Sequence, residues 1–109
     1  MRLYETKRTE RAILAQVVLA RDDAEAAADS LRELARLADT AGLEIAGQLT
    51  QNREKPDGGT LFGKGKVEDL KALVAQTAAN TVIFDNELSA IQAYNLAKRI
   101  EGARIMDRT

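Results

Sequence analysis

Apolar and polar positions divide this chain into two kinds of segment. The short run at 12–20 (AILAQVVLA) is almost continuously apolar, which is typical of a strand buried on both faces. Residues 43–50 (LEIAGQLT), 81–84 (TVIF) and 104–106 predict three further short strands. Between them, residues 24–41, 67–78 and 90–101 place apolar side chains at every third or fourth position, as helices do. The predicted order of elements is therefore βαβαβαβ.

Polar residues at the ends of these segments support the assignment. Asp22 or Asp23 is placed to cap the first helix, and Gly42 follows its end. Ser89 and Gln92 form the S-x-x-Q pattern of a capping box at the start of the third helix. Strands that alternate with crossover helices predict a three-layer α/β fold, with a parallel four-stranded sheet and helices on both faces. The strand order that we expect is 2-1-3-4.

In an open parallel sheet, ligands bind beyond the carboxyl ends of the strands. The longest connection at that edge is predicted to span residues 51–66 (QNREKPDGGTLFGKGK), whereas most such connections have about 2 to 6 residues. Long connections in compact domains are often functional. We therefore look for a binding site in this loop first.

Part of the loop resembles a phosphate-binding P-loop. Gly58, Gly63 and Lys64 have the required spacing, but Gly65 stands where a serine or threonine hydroxyl would contact Mg²⁺. No strand is predicted directly before Gly58, as a P-loop needs. The sequence therefore argues against an NTPase site. It leaves open a backbone nest at Gly63–Gly65 that favours phosphate, or glycines that only form the turn into the helix.

The same loop is locally basic, with four basic side chains against Glu54 and Asp57. Either a phosphate-rich partner such as RNA or a merely solvated loop accounts for this surplus. The residues that we expect to contact phosphate are Arg53, Lys55, Gly63, Lys64, Gly65 and Lys66.

A second group of polar residues follows the other strands. Asp22 and Asp23 after the first strand, with Asp85 and Glu87 after the third, resemble the acidic site of receiver domains, which holds Mg²⁺. We favour capping and turn roles for them instead, and predict no metal site. Further contacts at this edge are expected from Asp85, Asn86, Glu87 and Arg108.

Composition narrows the chemistry. The chain has 109 residues, a formal net charge of −1, and neither cysteine nor histidine. Disulfides, thiolate nucleophiles, histidine bases and the usual zinc sites are thereby excluded, and we predict no catalytic residue. Only four aromatic residues are present (Tyr4, Phe62, Phe84 and Tyr94), so the sequence does not predict a stacking platform for bases, and Phe84 is assigned to the core. With no apolar run long enough to span a membrane, we expect a cytoplasmic protein.

Five segments in order carry a family resemblance. They are ERAIL from residue 10, LADTAGLEIAGQLTQNR, TLFGKGKVEDL, VIFDNELSAIQAYNL and the final Asp107-Arg108-Thr109. Together they resemble the amino-terminal domain of HflX-type GTPases over nearly the whole chain from residue 10. We expect residues 1–10 to be an extension and residues 11–109 to be a single α/β domain, with the family's helical segment and GTPase domain absent.

The resemblance implies a function at the ribosome. Members of this family associate with the large ribosomal subunit and split or rescue ribosomes under stress, and their GTP and Mg²⁺ bind in the GTPase domain. This chain would then bind no cofactor, contact ribosomal RNA and pack against the helical and GTPase domains. Two alternatives stay open, an autonomous nucleotide-binding domain that uses the Gly63–Lys66 region and a purely structural packing domain. An exposed edge strand also leaves a homodimer open.

Overall fold

A computed structural model describes residues 10–108, and residues 1–9 and 109 lie outside that description. The predicted extension at residues 1–10 is thus outside the described residues except for Glu10. The elements follow the predicted order. They are β1 (Arg11–Leu19), α1 (Ala24–Thr40), β2 (Glu44–Arg53), α2 (Lys64–Thr77), β3 (Thr81–Phe84), α3 (Ala90–Arg99) and β4 (Arg104–Asp107).

The four strands form one parallel sheet in the order β2-β1-β3-β4, which confirms the expected order. β1 lies between two neighbours and is buried from Ala12 to Val17, which explains its continuous apolar run. β2 and β4 are the edge strands. The register between β1 and β2 shifts between Ala12 and Ile13, where a bulge interrupts the pairing.

Helices cover both faces of the sheet, as predicted. On one face Leu14 and Ile83 pack with Leu34 of α1. On the other face a larger cluster includes residues of β1 and β3 with Leu70 of α2 and Leu96 of α3. Phe84 is fully buried in that larger cluster, which confirms its assignment to the core.

The predicted caps are present. The side chain of Asp23 accepts a hydrogen bond from the Glu25 amide (2.9 Å) and caps α1. Ser89 and Gln92 make both bonds of a capping box at α3, at 3.1 Å and 2.9 Å. Local hydrogen bonding therefore fixes the start of these two helices, as their sequences indicated.

The boundaries around the long loop differ from the prediction. β2 continues through Arg53 because β1 extends beside it, so that Val17 pairs with Gln51 and Leu19 with Arg53. α2 begins at Lys64 rather than at residue 67. The predicted loop at 51–66 was therefore too long at both ends, and the connection spans residues 54–63. Polar residues occur in edge strands and at helix starts as well as in loops, so the change in composition did not mark either boundary.

Candidate functional site at the β2–α2 connection

The β2–α2 connection folds back on itself before α2 begins. The Asp57 amide donates to the Leu61 carbonyl (3.0 Å) and the Leu61 amide donates to the Asp57 carbonyl (2.9 Å), which closes a tight turn over Gly58, Gly59 and Thr60. Leu61 adopts a φ of 67°, an unusual conformation for a residue with a Cβ. Because the turn separates the strand from the helix, the P-loop arrangement of strand, glycine loop and helix is absent, as the sequence indicated.

The carboxylate of Asp57 holds this turn together. Its Oδ1 accepts hydrogen bonds from the amides of Gly59 (2.8 Å) and Thr60 (3.0 Å). These two bonds favour the ionised form, and they lower the pKa of Asp57 below its ordinary value of 3.8. Asp57 is therefore ionised at neutral pH and acts as the acceptor of the turn.

Buried side chains and α3 anchor the turn on the domain. Leu61 and Phe62 are buried, and the ring of Phe62 lies 5.4 Å from that of Phe84, centroid to centroid. From α3, Gln92 donates to the Asp57 carbonyl (2.8 Å) and Asn95 donates to the Gly59 carbonyl (3.0 Å). The stretch that resembles a P-loop is thus a fixed structural turn of the β2–α2 connection, anchored on α3.

The predicted phosphate-binding residues divide between three positions. Arg53 ends β2, Lys55 lies in the connection, and Lys64 and Lys66 lie in the first turn of α2. The Arg53 Nε donates to the Lys55 carbonyl (3.0 Å), which holds these two residues together. Lys64 is exposed, whereas the Lys66 ammonium lies 3.8 Å from the Asp69 carboxylate.

Gly63 connects Arg53 to the start of α2. Its amide donates to the Gln51 side chain (3.0 Å), and the Arg53 guanidinium lies so close that a Cβ at this position would clash with it. Gly63 is the N-cap of α2 in an extended conformation and supplies no side-chain cap. Gly65 is helical, so of the two alternatives that the sequence left open the structure has the turn into the helix and not the nest. The structure therefore brings Arg53, Gly63 and Lys64 to one place.

Three of the four predicted edge residues have partners inside the domain. Asp85 accepts from Gln16 (3.0 Å) and from Arg108 (2.8 Å). Asn86 both accepts from and donates to the backbone of Val17, at 2.8 Å and 2.9 Å. Glu87 is exposed. A contact of these residues with a partner stays a prediction, and their observed bonds tie the strand ends together.

The acidic residues do not form a metal site within residues 10–108, where no group of three or more potential ligands is found. Asp22 accepts from the Leu19 amide (2.8 Å) and Asp23 caps α1. Asp85, whose side chain is only 5% exposed, forms the ion pair with Arg108. The capping role that we favoured for Asp22 or Asp23 belongs to Asp23, whereas Asp85, for which we favoured a turn role, forms an ion pair.

One exposed group escaped the sequence-based prediction. Tyr94 on α3 is 61% exposed, and the Lys98 ammonium lies 5.7 Å from the centre of its ring. Ile91, one turn earlier, is 56% exposed. Helical spacing from the buried Leu96 would have placed Tyr94 on the outer side of α3, but a single aromatic residue in a short helix gave no further signal.

Two comparisons identify the relationship of this chain. Residues 28–109 match the family model described as GTP-binding GTPase N-terminal. GTPase HflX of Alkalihalophilus pseudofirmus is 45% identical over 80 residues, which are 73% of this chain and 19% of that protein.

Two further relatives align over more of this chain. GTPase HflX of Caldanaerobacter subterraneus subsp. tengcongensis is 41% identical over 100 residues, and GTPase HflX of Escherichia coli is 32% identical over 100 residues. Each alignment covers 92% of this chain and 22% of the relative. The chain thus spans about a fifth of the length of these relatives. Among residues 10–108, no helix is both long and apolar enough to cross a membrane.

Proposed function

The chain belongs to the HflX family of GTPases as a GTPase N-terminal domain, and from this premise we propose that it binds RNA and orients the rest of a longer protein. The longer protein hydrolyses GTP in a separate GTPase domain, which also holds GTP and Mg²⁺, so this chain needs no cofactor. It acts in the cytoplasm on the large ribosomal subunit, in the splitting or rescue of stressed ribosomes. The family resemblance supports these statements.

The observation that carries the RNA proposal is the placement of basic side chains around the start of α2. The Arg53 guanidinium lies against Gly63 at the start of α2, and the exposed Lys64 follows directly. Phosphate groups of RNA are attracted by such clustered cations, and contacts of this kind position a protein without reading sequence. Arg53, Lys55, Lys64 and Lys66 are the proposed phosphate contacts.

Positive charge would also supply most of the affinity, so the contact is expected to depend strongly on salt. Each cation that neutralises a phosphate releases counterions, and the binding constant then falls as salt rises. The turn at Asp57 contributes by holding the connection in one conformation, which removes an ordering cost from binding. The helical and GTPase domains are the second proposed partner, and a homodimer through an edge strand is the oligomeric alternative.

Co-sedimentation with purified large ribosomal subunits over a salt series tests this proposal. The chain is compared with Lys64→Ala/Lys66→Ala and with a matched control, Arg32→Ala/Arg36→Ala, which removes two positive charges from exposed pairs on α1. We expect the α2 variant to lose binding at low salt and the α1 variant to sediment like the parent.

Two outcomes would contradict the proposal. Equal loss in both variants would mean that only net charge matters. No sedimentation of the parent would place the affinity outside this chain and leave it the orienting role alone. Saturable thermal stabilisation by ATP or GTP without ribosomes would favour the nucleotide-binding alternative.

A further inference from the structure

We propose that the outer surface of α3, with the adjoining part of α2, binds single-stranded RNA, with the ring of Tyr94 as a stacking surface for a base and Lys98 and Arg99 as phosphate contacts. The inference rests on the proposed function for the class of partner. It adds an RNA-binding surface on α3, on the same face of the sheet as α2, and assigns it to particular side chains.

Tyr94 is available for stacking. It is the most exposed of the large hydrophobic residues described, and it keeps 61% of its surface accessible with Lys98 beside it. Its hydroxyl makes no hydrogen bond within residues 10–108. Leu96 of α3 and Ile100, directly after the helix, are buried in the core, so packing does not require an aromatic residue on the opposite side. Aromatic rings stack on any base, so this contact tolerates different sequences.

Polar groups next to the ring suit the backbone of a nucleotide. A cavity of about 300 Å³ is lined by Thr60, Asn95, Lys98 and Arg99. It lies where the turn over Gly58, Gly59 and Thr60 (the glycine turn) packs against α3, because Asn95 donates to the Gly59 carbonyl. Its volume is at the lower end of the range for ligand pockets, about 300–1,000 Å³. Two cationic side chains line this cavity, and one of them, Lys98, also contacts the Tyr94 ring, so we assign the cavity to the phosphate next to the stacked base.

Charge on the helices favours this side of the domain. α2 and α3 together carry five basic and two acidic side chains, whereas α1 carries two basic and four acidic ones. The Arg99 guanidinium donates to Glu68 of α2 (2.9 Å), which brings the basic end of α3 against α2. Lys64 and Lys71 lie one turn before and after Glu68 on the same side of α2.

Lys64 and Lys71 of α2 and Lys98 and Arg99 of α3 thus lie on two helices that the bond from Arg99 to Glu68 joins, and Lys98 contacts Tyr94. A polyanion is attracted to this side and repelled by α1. The stacking surface therefore extends the proposed phosphate contacts at the start of α2.

Tyrosine fluorescence provides a direct test, because the chain has two tyrosines and no tryptophan. In a Tyr4→Phe background Tyr94 is the single emitter. The probe is an unlabelled oligoadenylate of about 16 nucleotides, the upper end of common site sizes for single strands. We expect saturable quenching of Tyr94, corrected for absorption by the probe with free N-acetyltyrosinamide. We expect Tyr94→Ala to raise Kd about tenfold and Tyr94→Phe, which keeps the ring, to change it less than about threefold.

Substitution of the neighbouring cations supplies a second readout. Lys98→Ala and Arg99→Ala should each lower the slope of log K against log salt by about 0.7, the value for one phosphate contact on a single strand. Arg32→Ala/Arg36→Ala on α1 should leave Kd and slope unchanged. Circular dichroism checks that each variant is folded.

Binding of the probe without quenching, and with Tyr94→Ala unaffected, would overturn the inference. The proposed function would survive that result if Lys64→Ala/Lys66→Ala still lost binding to the large ribosomal subunit. If the oligoadenylate quenches Tyr94 but Lys64→Ala/Lys66→Ala binds large subunits like the parent, the α3 surface is supported and the contact at the start of α2 is refuted. Failure of the oligoadenylate to bind at all would also overturn the inference.

Discussion

Removal of the Asp57 carboxylate tests whether the glycine turn is a structural element. One oxygen of this side chain accepts both turn amides, at 2.8 Å and 3.0 Å, and the Asp57 backbone accepts from Gln92 of α3. Asp57→Ala removes the acceptor, and Asp57→Asn keeps an oxygen at the same place without the charge. Hydrogen bonds to a charged group contribute about 1.5–3 kcal/mol when they are protected. Because water reaches this partly exposed turn, we expect Asp57→Ala to lower the free energy of unfolding by about 2 kcal/mol and Asp57→Asn by about 1 kcal/mol.

The effect of Asp57→Asn should depend on pH. The pKa of Asp57 in the folded chain lies below its ordinary value of 3.8, because the Gly59 and Thr60 amides stabilise the ionised form. The folded state therefore gains stability from this group above the ordinary pKa of 3.8, and it loses that stability as the pH falls through the lower folded pKa. The difference between parent and Asp57→Asn should be full at neutral pH and should shrink as the pH falls through the lowered folded pKa. The hydrogen bond from Arg99 lowers the pKa of Glu68 as well. Glu68 is present in both proteins, so its contribution cancels from the difference in stability.

Urea unfolding followed by circular dichroism measures these free energies. Glu54→Gln is the matched control, because it removes one negative charge from an exposed residue of the same connection. It should change stability by less than about 0.5 kcal/mol. A loss in Asp57→Asn that stays constant between neutral and acid pH would refute the electrostatic reasoning. No loss in Asp57→Ala would mean that the turn does not need this acceptor.

Two further substitutions test the supports of the site, both by urea unfolding. Phe62→Ala should lower the free energy of unfolding by about 3–5 kcal/mol, because the ring is fully buried against Phe84. Leu37→Ala, at a residue that is 50% exposed, should lower it by less than about 1 kcal/mol. Similar losses in the two variants would contradict the assignment of Phe62 to the core. Asp85→Asn should lower the free energy of unfolding by about 1–3 kcal/mol, because it removes the charge that holds Arg108. Glu87→Gln, at an exposed residue, should leave stability nearly unchanged. Unchanged stability in Asp85→Asn would show that this ion pair does not stabilise the strand ends.

The sequence by itself determined the fold of this chain. A short, continuous apolar run rich in branched residues is typical of a central strand, so β1 was assigned from its pattern. The capping residues Asp23 and Ser89 set the starts of two helices. Alternation of strands and helices then required a parallel sheet, because each crossover returns the chain to the same edge. The family was likewise recognisable from five short segments in order.

The tertiary structure alone decided what the long connection is. The sequence presented Gly58–Lys64 as resembling a phosphate loop. The boundaries of the connection predicted at 51–66 were misplaced, because polar residues suit an edge strand, a loop and a helix start equally well. Burial of Leu61 and Phe62, together with bonds from Gln92 and Asn95, makes it a fixed turn. Those contacts join residues about 35 positions apart, and no local pattern encodes them. The exposure of Tyr94 beside Lys98 is of the same kind, since the side of a helix that stays open depends on what the rest of the chain packs against it.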